Sequence, residues 1–246
     1  CMQAPLVPSC IFYDKQKAKA WVNQAKYPLV FKLRGGAGSV NVRIVRNKSK
    51  AKKIIRKAFG NGFRPIDRAN LLYDWIAKFK REKTFVNLLL MLKGFVRLLY
   101  PRYDDRMLKR EKGYVYFQEF VQISYDIRVA VIGKRAFGFK RFVRKDDFRA
   151  SGSGLMTYAQ DAMPMECVTM AFKLAEKFEM QSVCFDFVID KDRPMLLEIS
   201  FGIMLRAYLP CPGYWDTDLN WHPGNFHPAC FIIEDFVNSI SQKEEF

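Results

Sequence analysis

The chain has 246 residues, half of them hydrophobic and 15% aromatic, with 41 basic against 25 acidic side chains and a formal charge of +16. This composition excludes a disordered chain and is enough for one large domain or two lobes with real cores. The charge favours anionic partners, whether nucleotides, nucleic acid, acidic polymers or a membrane surface, and does not choose among them. The six cysteines include no CxxC pair, which points to reduced thiols and a cytoplasmic setting. No stretch reads as a signal peptide. The longest apolar run, Phe85 to Tyr100, is interrupted by Lys93 and Arg97 and is too short to span a bilayer.

In chain order, residues 1–12 read as an irregular lead-in, and Asp14 caps a helix to about Ala25. Pro28 opens a strand, LVFKLR. The loop Gly35-Gly36-Ala37-Gly38-Ser39 follows, then a second strand, VNVRIVR, to Arg46. Ser49 caps a basic helix that stops at Gly60-Asn61-Gly62. Residues 64–112 hold 13 basic and 6 acidic side chains and read as two helices, about 67–81 and 84–100, with a charged connector. Three strands come next, YVYFQEF, DIRVAVIG and KRAFGFKRFV, then a loop over 144–163. Pro164 begins a helix to about Glu179. The hairpin from Ser182 to Ser200 follows, then an irregular stretch over 202–227 rich in Pro, Gly and Trp. A final helix, about 229–241, carries Ile232, Ile233, Phe236, Val237 and Ile240 inward.

The hairpin carries the sharpest chemistry. A turn centred on Asp192 sets Asp186 opposite Glu198, with Leu196, Glu198 and Ser200 on one face. Opposed Cβ atoms lie roughly 4.5–5.5 Å apart. Two carboxylates so placed repel unless they face water or a cation lies between them. Magnesium, bound through one or two carboxylates plus substrate phosphates, is the natural cation.

Other pieces are softer. Lys32, between Phe31 and Leu33, either holds an anion such as phosphate or reaches water from a strand edge. The glycine loop allows close approach of backbone amides to phosphate, or is a plain hairpin turn. It has neither the ending of a P-loop nor the spacing of a dinucleotide fingerprint. At the junction of Gln118-Glu119-Phe120 and Asp126-Ile127-Arg128, backbone groups can pair with an adenine edge. A carboxylate at 126 can take ribose hydroxyls, and Arg128 and Arg141 can aim at phosphates. The same residues also read as a row of surface charges. Trp215, Trp221, His222 and His227 either line an acceptor pocket beside the metal or pack a long loop on itself. Cys211, His222, His227 and Cys230 fit no standard zinc spacing.

The order of these pieces is more telling than any one of them. A strand lysine and glycine loop precede Gln-Glu-Phe, Asp-Ile-Arg, a basic strand, Asp-Phe-Arg, and finally Asp with Glu-x-Ser on a hairpin. Over residues 28–60 and 114–201 this resembles the ATP-grasp superfamily, within it the branch of glutathione synthetase and ribosomal-protein glutamate ligase. The resemblance implies an α+β fold with antiparallel sheets, in which two lobes clasp ATP. It implies a small lobe over 13–120 with a helical insertion at 64–112, and a large lobe over 121–246 with the metal-binding hairpin at 182–201. Lys32 would hold the α/β phosphates, with Gly35, Gly36, Gly38 and Ser39 folded over them. Glu119 and Phe120 would present backbone to adenine, and Asp126 would sit near the ribose beside Arg128. Arg141 would steady the transferring phosphate. Arg149, Ala150 and Ser151 fall where a nucleotide-side loop lies in the glutamate ligases. Asp186, Glu198 and Ser200 would bind Mg2+. The implied reaction activates a carboxylate as an acyl phosphate and joins it to an amine, in peptide, protein or surface-polymer modification.

Three departures stand beside the resemblance. Ser200 replaces the Asn usual two residues after the metal-binding Glu. The 64–112 segment is longer than the usual connection. The family's N-terminal domain has no counterpart in these residues. Two rivals follow: an ATP-grasp kinase, and a basic binding protein for an anionic polymer with a decayed nucleotide site.

Overall fold

The structure, a computed structural model, describes residues 5–35, 41–65, 68–100, 108–144, 148–151 and 154–244. The chain forms two compact units, Pro8–Phe120 and Cys1–Val7 with Val121–Phe246.

In the first unit a four-stranded antiparallel sheet runs in the order β1-β4-β2-β3. The strands are β1 (Ser9–Phe12), β2 (Leu29–Lys32), β3 (Arg43–Val45) and β4 (Val115–Glu119). β1 lies in what reads from sequence as a lead-in, and it pairs along β4 from Ser9–Gln118 to Phe12–Val115. Helices α1 (Lys15–Gln24) and α2 (Lys48–Ala58) bury Ala18, Val22, Ala51 and Ile55 against Phe31, Val45, Val115 and Phe117. Asp14 caps α1 as expected, accepting from the Lys17 amide at 2.7 Å. α2 starts at Asn47 rather than Ser49, because the Asn47 Oδ1 takes the Lys50 amide at 3.0 Å.

Within this unit Phe63 and Glu111 pair to form a narrow neck. Phe63 and Glu111 exchange both backbone hydrogen bonds at 2.9 Å. Gly62 sits at φ +67 with the Glu111 carbonyl oxygen 2.6 Å from where a Cβ would stand, so only glycine fits. Beyond the neck, α3 (Arg68–Arg81) and α4 (Phe85–Leu99) pack as a hairpin through Gly94. A Cβ there would meet the Trp75 ring at 2.5 Å. Thr84 caps α4 through the Asn87 amide. Arg68 donates to the carbonyls of Arg97 and Leu98, where the negative end of the α4 dipole gathers.

The second unit holds a larger antiparallel sheet in the order β11-β10-β6-β5-β8-β9, with β7 (Met156–Thr157) beside β6. Its strands are β5 (Tyr125–Ile132), β6 (Arg135–Phe142), β8 (Ser182–Asp190), β9 (Arg193–Ser200), β10 (Gly213–Asp216) and β11 (Trp221–Pro223). Helix α5 (Met165–Lys177) covers one face. Cys167, Val168, Ala171 and Leu174 meet Ile127, Val129, Val131, Phe185 and Phe187 there.

On the other face, Tyr208, Cys211, Phe231 and Ile232 cover Ala130, Ile132, Phe137, Phe139 and Cys184. Helix α6 (Pro228–Glu244) departs from its expected burial. Only its first turns reach this core, through Phe231 and Ile232. Ile233, Phe236, Val237 and Ile240 are exposed, because the helix runs on past the sheet surface that could cover them. Its Asp235 instead accepts from Arg135 at 2.9 Å.

Candidate functional site

The β8–β9 hairpin sets the register of the site. Its two-residue turn is Lys191-Asp192, both at positive φ, the conformation that matches strand twist. That turn alone would pair Asp186 with Leu197. A bulge between Asp186 and Phe187 shifts the ladder by one, so Asp186 faces Glu198. The expected opposition is therefore present, reached by a turn half a residue earlier plus a bulge. The same bulge separates Leu196 from Glu198. Leu196 packs in the α5-side core opposite Phe187, so the expected single face of Leu196, Glu198 and Ser200 does not form.

Strand alternation then gathers charge at one end of the face away from α5. Asp126 lies opposite Arg141 on β6, and Arg128 opposite Asp186 on β8. Arg128 grips Asp186 with Nε and Nη2, each 2.6 Å from a carboxylate oxygen. Arg141 grips Asp126 likewise, both bonds at 2.7 Å. A third link, Arg141 Nη2 to Asp186 Oδ2 at 3.1 Å, joins the pairs into one network. Asp126, Arg141 and Asp186 are buried and Arg128 is half-buried. Burial alone would raise the pKa of Asp186, but Arg141 and Arg128 outweigh it and hold the carboxyl below its ordinary range. Asp126 goes the other way, since burial outweighs the pull of Arg141. Both guanidiniums titrate higher than usual; burial opposes this and their carboxylate partners overcome it.

In this arrangement Asp186 is committed to the arginines: its two oxygens meet three guanidinium nitrogens, so a magnesium ion would share it with Arg128 and Arg141. Among the described residues no three His, Cys, Asp or Glu side chains cluster to hold a metal. Glu198 is exposed and Ser200 half-buried. Each guanidinium spends its Nε and Nη2 on a carboxylate, so what the cluster offers to an anion is the remaining N–H donors of two arginines held at fixed positions.

The other expected residues are placed as follows. Asp126, expected near a ribose, orients Arg141. Lys32 ends β2, half-buried, opposite Tyr116. Glu119 ends β4, and its amide donates to the Pro8 carbonyl at 2.8 Å. Phe120, Arg149 and Ser151 are half-buried. Gly36, Gly38 and Ser39 lie outside the described residues. Gly35 is described, and its amide donates to the Glu111 Oε1 at 3.1 Å. Glu111 also accepts from the Tyr114 hydroxyl, which itself accepts from the Arg34 amide at 2.7 Å. Burial and the Glu111 carboxylate push the Tyr114 hydroxyl up to about 12, against the opposing pull of Arg34. No spacing in the sequence singles out Glu111, because its contact with Gly35 exists only once the neck closes.

The aromatic stretch is not beside this cluster. β10 pairs with β6 at Trp215–Ala136, five residues along from Arg141 and so roughly 17 Å away. Trp215 is core, and Tyr214 stacks on His222 and packs edge-on against Phe226. The stretch is thus a strand pair added to the sheet edge, with Trp215 and Trp221 packed on the α5-side core and Tyr214, His222 and Phe226 packed on one another. It contains a pair that sequence reasoning missed: the Asp216 Oδ2 lies 2.7 Å from the His222 Nε2. The Asp216 Oδ1 takes the amides of Asp218 and Asn220, an Asx-type turn that the Asp-Thr-Asp-Leu-Asn run signals. The His222 bond, with those amides, lowers the Asp216 pKa to about 2.

No protein-family model matches the sequence, and no curated protein matches it. Solved structures do. The macrocyclase MdnC of Microcystis aeruginosa, bound with its precursor peptide MdnA, is similar at 13% identity and a TM-score of 0.50 over 96% of this chain. A RimK-domain ATP-grasp protein of Sphaerobacter thermophilus is similar at 12% identity and a TM-score of 0.44 over 83%. The biotin carboxylase of Campylobacter jejuni is similar at 14% and 0.48 over 82%. The chain spans 56%, 55% and 38% of the lengths of these three. At such identities the likeness is one of fold alone, and MdnC, at a TM-score of 0.50, is what carries it among these three.

Proposed function

We propose that this ATP-grasp chain carries the nucleotide-handling part of a ligase that activates a carboxylate with ATP and passes it to an amine. The observation that supports it most is the paired cation of Arg128 and Arg141. The two are fixed by Asp126 and Asp186 at the charged end of the large sheet. In this reading a carboxylate oxygen attacks the γ-phosphorus, the bond to the β-phosphate oxygen breaks, and ADP leaves. The amine nitrogen then attacks the acyl carbon, phosphate leaves, and the amine proton passes to solvent. Arg141, held rigid by Asp126, meets the charge on the transferring phosphoryl group. Arg128 takes a neighbouring oxygen. The roles named above for Lys32, Gly35, Glu119, Phe120, Arg149 and Ser151 belong to this proposal. No step is routed through magnesium, given the occupied Asp186. The substrates of MdnC and of the other similar proteins are theirs; peptide, protein or surface-polymer acceptors enter here as candidates only.

The test is thermal unfolding with ATP, with Mg2+ and with both, followed by ADP release against pools of carboxylates and amines. ATP at about 100 times its Kd raises stability by about 2.7 kcal/mol. ADP release that needs both carboxylate and amine supports the ligase; release with a hydroxyl acceptor alone indicates the kinase. One observation favours the non-enzymatic rival, the engagement of Asp186 by two guanidiniums with Ser200 close by on β9. That rival predicts no response to ATP under any metal condition, and polymer affinity that falls steeply with salt.

A further inference from the structure

Helix α4 has two apolar faces, and the fold uses one. Asn87 and Gly94 are buried, and the Gly94 side meets α3. On the opposite side, at spacings of 4, 3, 4 and 3, stand Phe85 (73% exposed), Leu89 (45%), Leu92 (49%), Val96 (60%) and Leu99 (75%). Five large apolar residues in one unbroken line are more than the scattered exposure usual on a soluble surface. At 100° per residue, Lys93 and Arg97 run along one edge of this stripe, and Tyr100 ends it. Between Thr84 and Pro101 there is no acidic residue, and the whole 64–112 segment has 13 basic side chains against 6 acidic.

Three occupants are conceivable, and charge separates them. A second copy would add another chain of +16, and an antiparallel pair of helices would bring Lys93 and Arg97 against the same cations. A neutral apolar partner leaves the basic edge unused. An anionic lipid surface matches both features at once: acyl chains take the stripe and headgroups take the cations. The helix is about 22 Å long, long enough to lie in the headgroup layer. No helix among the described residues is long and apolar enough to cross a membrane.

We propose that α4 is an interfacial docking helix for an anionic lipid bilayer. The stripe sinks into the headgroup–acyl boundary, and Lys93 and Arg97 stay at headgroup level. The proposal is independent of the ligase reading, since none of these residues belongs to the arginine–aspartate cluster.

The experiment is co-sedimentation of the full chain with vesicles of phosphatidylcholine alone and of phosphatidylcholine with 30 mol% phosphatidylglycerol. The expected result is binding to the anionic vesicles only. Leu89→Gln with Val96→Gln should abolish it, and Lys93→Glu should weaken it about tenfold at low salt. Both are surface changes, so unchanged far-UV circular dichroism melting confirms folded variants. Binding to neither vesicle, or equal binding to both, overturns the proposal. So does a concentration-dependent dimer in sedimentation velocity that Leu89→Gln/Val96→Gln dissolves, because the stripe then belongs to a second copy.

Discussion

The two faces of the large sheet are built from the same strands and hold together by different physics. On the α5 face Ile127, Val129, Phe185 and Phe187 exclude water, and each contributes by the apolar area it buries. On the other face Asp126, Arg128, Arg141 and Asp186 lose water too, and gain stability only through one another. The first face tolerates rough fit. The second is worth having only while every member is present. Such a cluster is weak evidence for stability and stronger evidence for a task that needs cations held at fixed positions.

The comparison can be broken most directly by truncation. Asp186→Ala strands Arg128 and half-strands Arg141, and should cost about 3–5 kcal/mol. Phe185→Ala on the opposite face should cost a similar amount by leaving a cavity. Urea unfolding of both variants checks this. A near-neutral Asp186→Ala would mean that the network is slack in solution.

A second pair of changes sharpens the contrast. Arg128→Met with Asp186→Leu turns the charged end into a copy of the apolar face. Most of the loss should return, leaving a difference from wild type within about 1.5 kcal/mol. The thermal shift with ATP should nevertheless vanish. Recovered stability with an intact ATP response would remove Arg128 from the nucleotide site.

The smallest expected effect concerns pH. Asp186, with a lowered folded pKa, adds stability that is present above the unfolded value of about 3.9 and lost as pH falls through its folded value. Asp126, with a raised folded pKa, has the opposite sign: the folded state takes up its proton first, and stability rises as pH falls between the folded value and about 3.9. The two contributions oppose each other. Asp216 is depressed to about 2, its hydrogen bonds outweighing burial, so its contribution disappears between about 3.9 and 2. In Asp216→Asn, stability measured by urea across that window should fall less steeply than in wild type. An identical slope would show that the His222 bond does not persist in solution.

Much of this was legible in the sequence because strands advertise themselves by alternation. β4, β5, β6 and the acidic hairpin lie where the pattern places them, and so does the opposition of Asp186 and Glu198. The bulge was not legible: nothing in MLLEIS says that Leu197 slips out of register. Without the bulge the partner of Asp186 becomes Leu197, and Glu198 moves to the face of Leu196. The arginine grip on Asp186 was hidden for a related reason. Arg128 and Asp186 are 58 residues apart, and only the β5–β8 register brings them together. The exposed end of α6 escaped because periodicity reports an apolar face and not whether anything covers it. Asn47 and Ser49 are both good caps, and competition between adjacent capping residues is settled by backbone geometry alone.

The neck at Phe63 and Glu111 makes the intervening helices a cassette. Hydrogen-bonded antiparallel partners have Cα atoms roughly 5.5 Å apart, so residues 64–110 begin and end at nearly one point. Lengthening or shortening such a loop changes its closure entropy only as the logarithm of its length, about 0.6 kcal/mol per doubling. The rest of the unit is therefore almost blind to what the cassette contains, and helices of other lengths or surfaces could be carried there at little cost. The ends of the cassette are tied by Asn41, which donates to the Arg64 and Pro65 carbonyls, and by Arg110, which donates to the Asn61 carbonyl, while Glu111 closes the neck through its backbone and holds the Gly35 amide through its carboxylate. A chain in which 64–110 becomes a two-residue turn should keep the small unit folded while Phe63 and Glu111 remain. Glu111→Ala in that shortened chain should free the start of the glycine loop, seen as faster amide exchange at Gly35. Equal exchange with and without the carboxylate would show that the loop is held by other means.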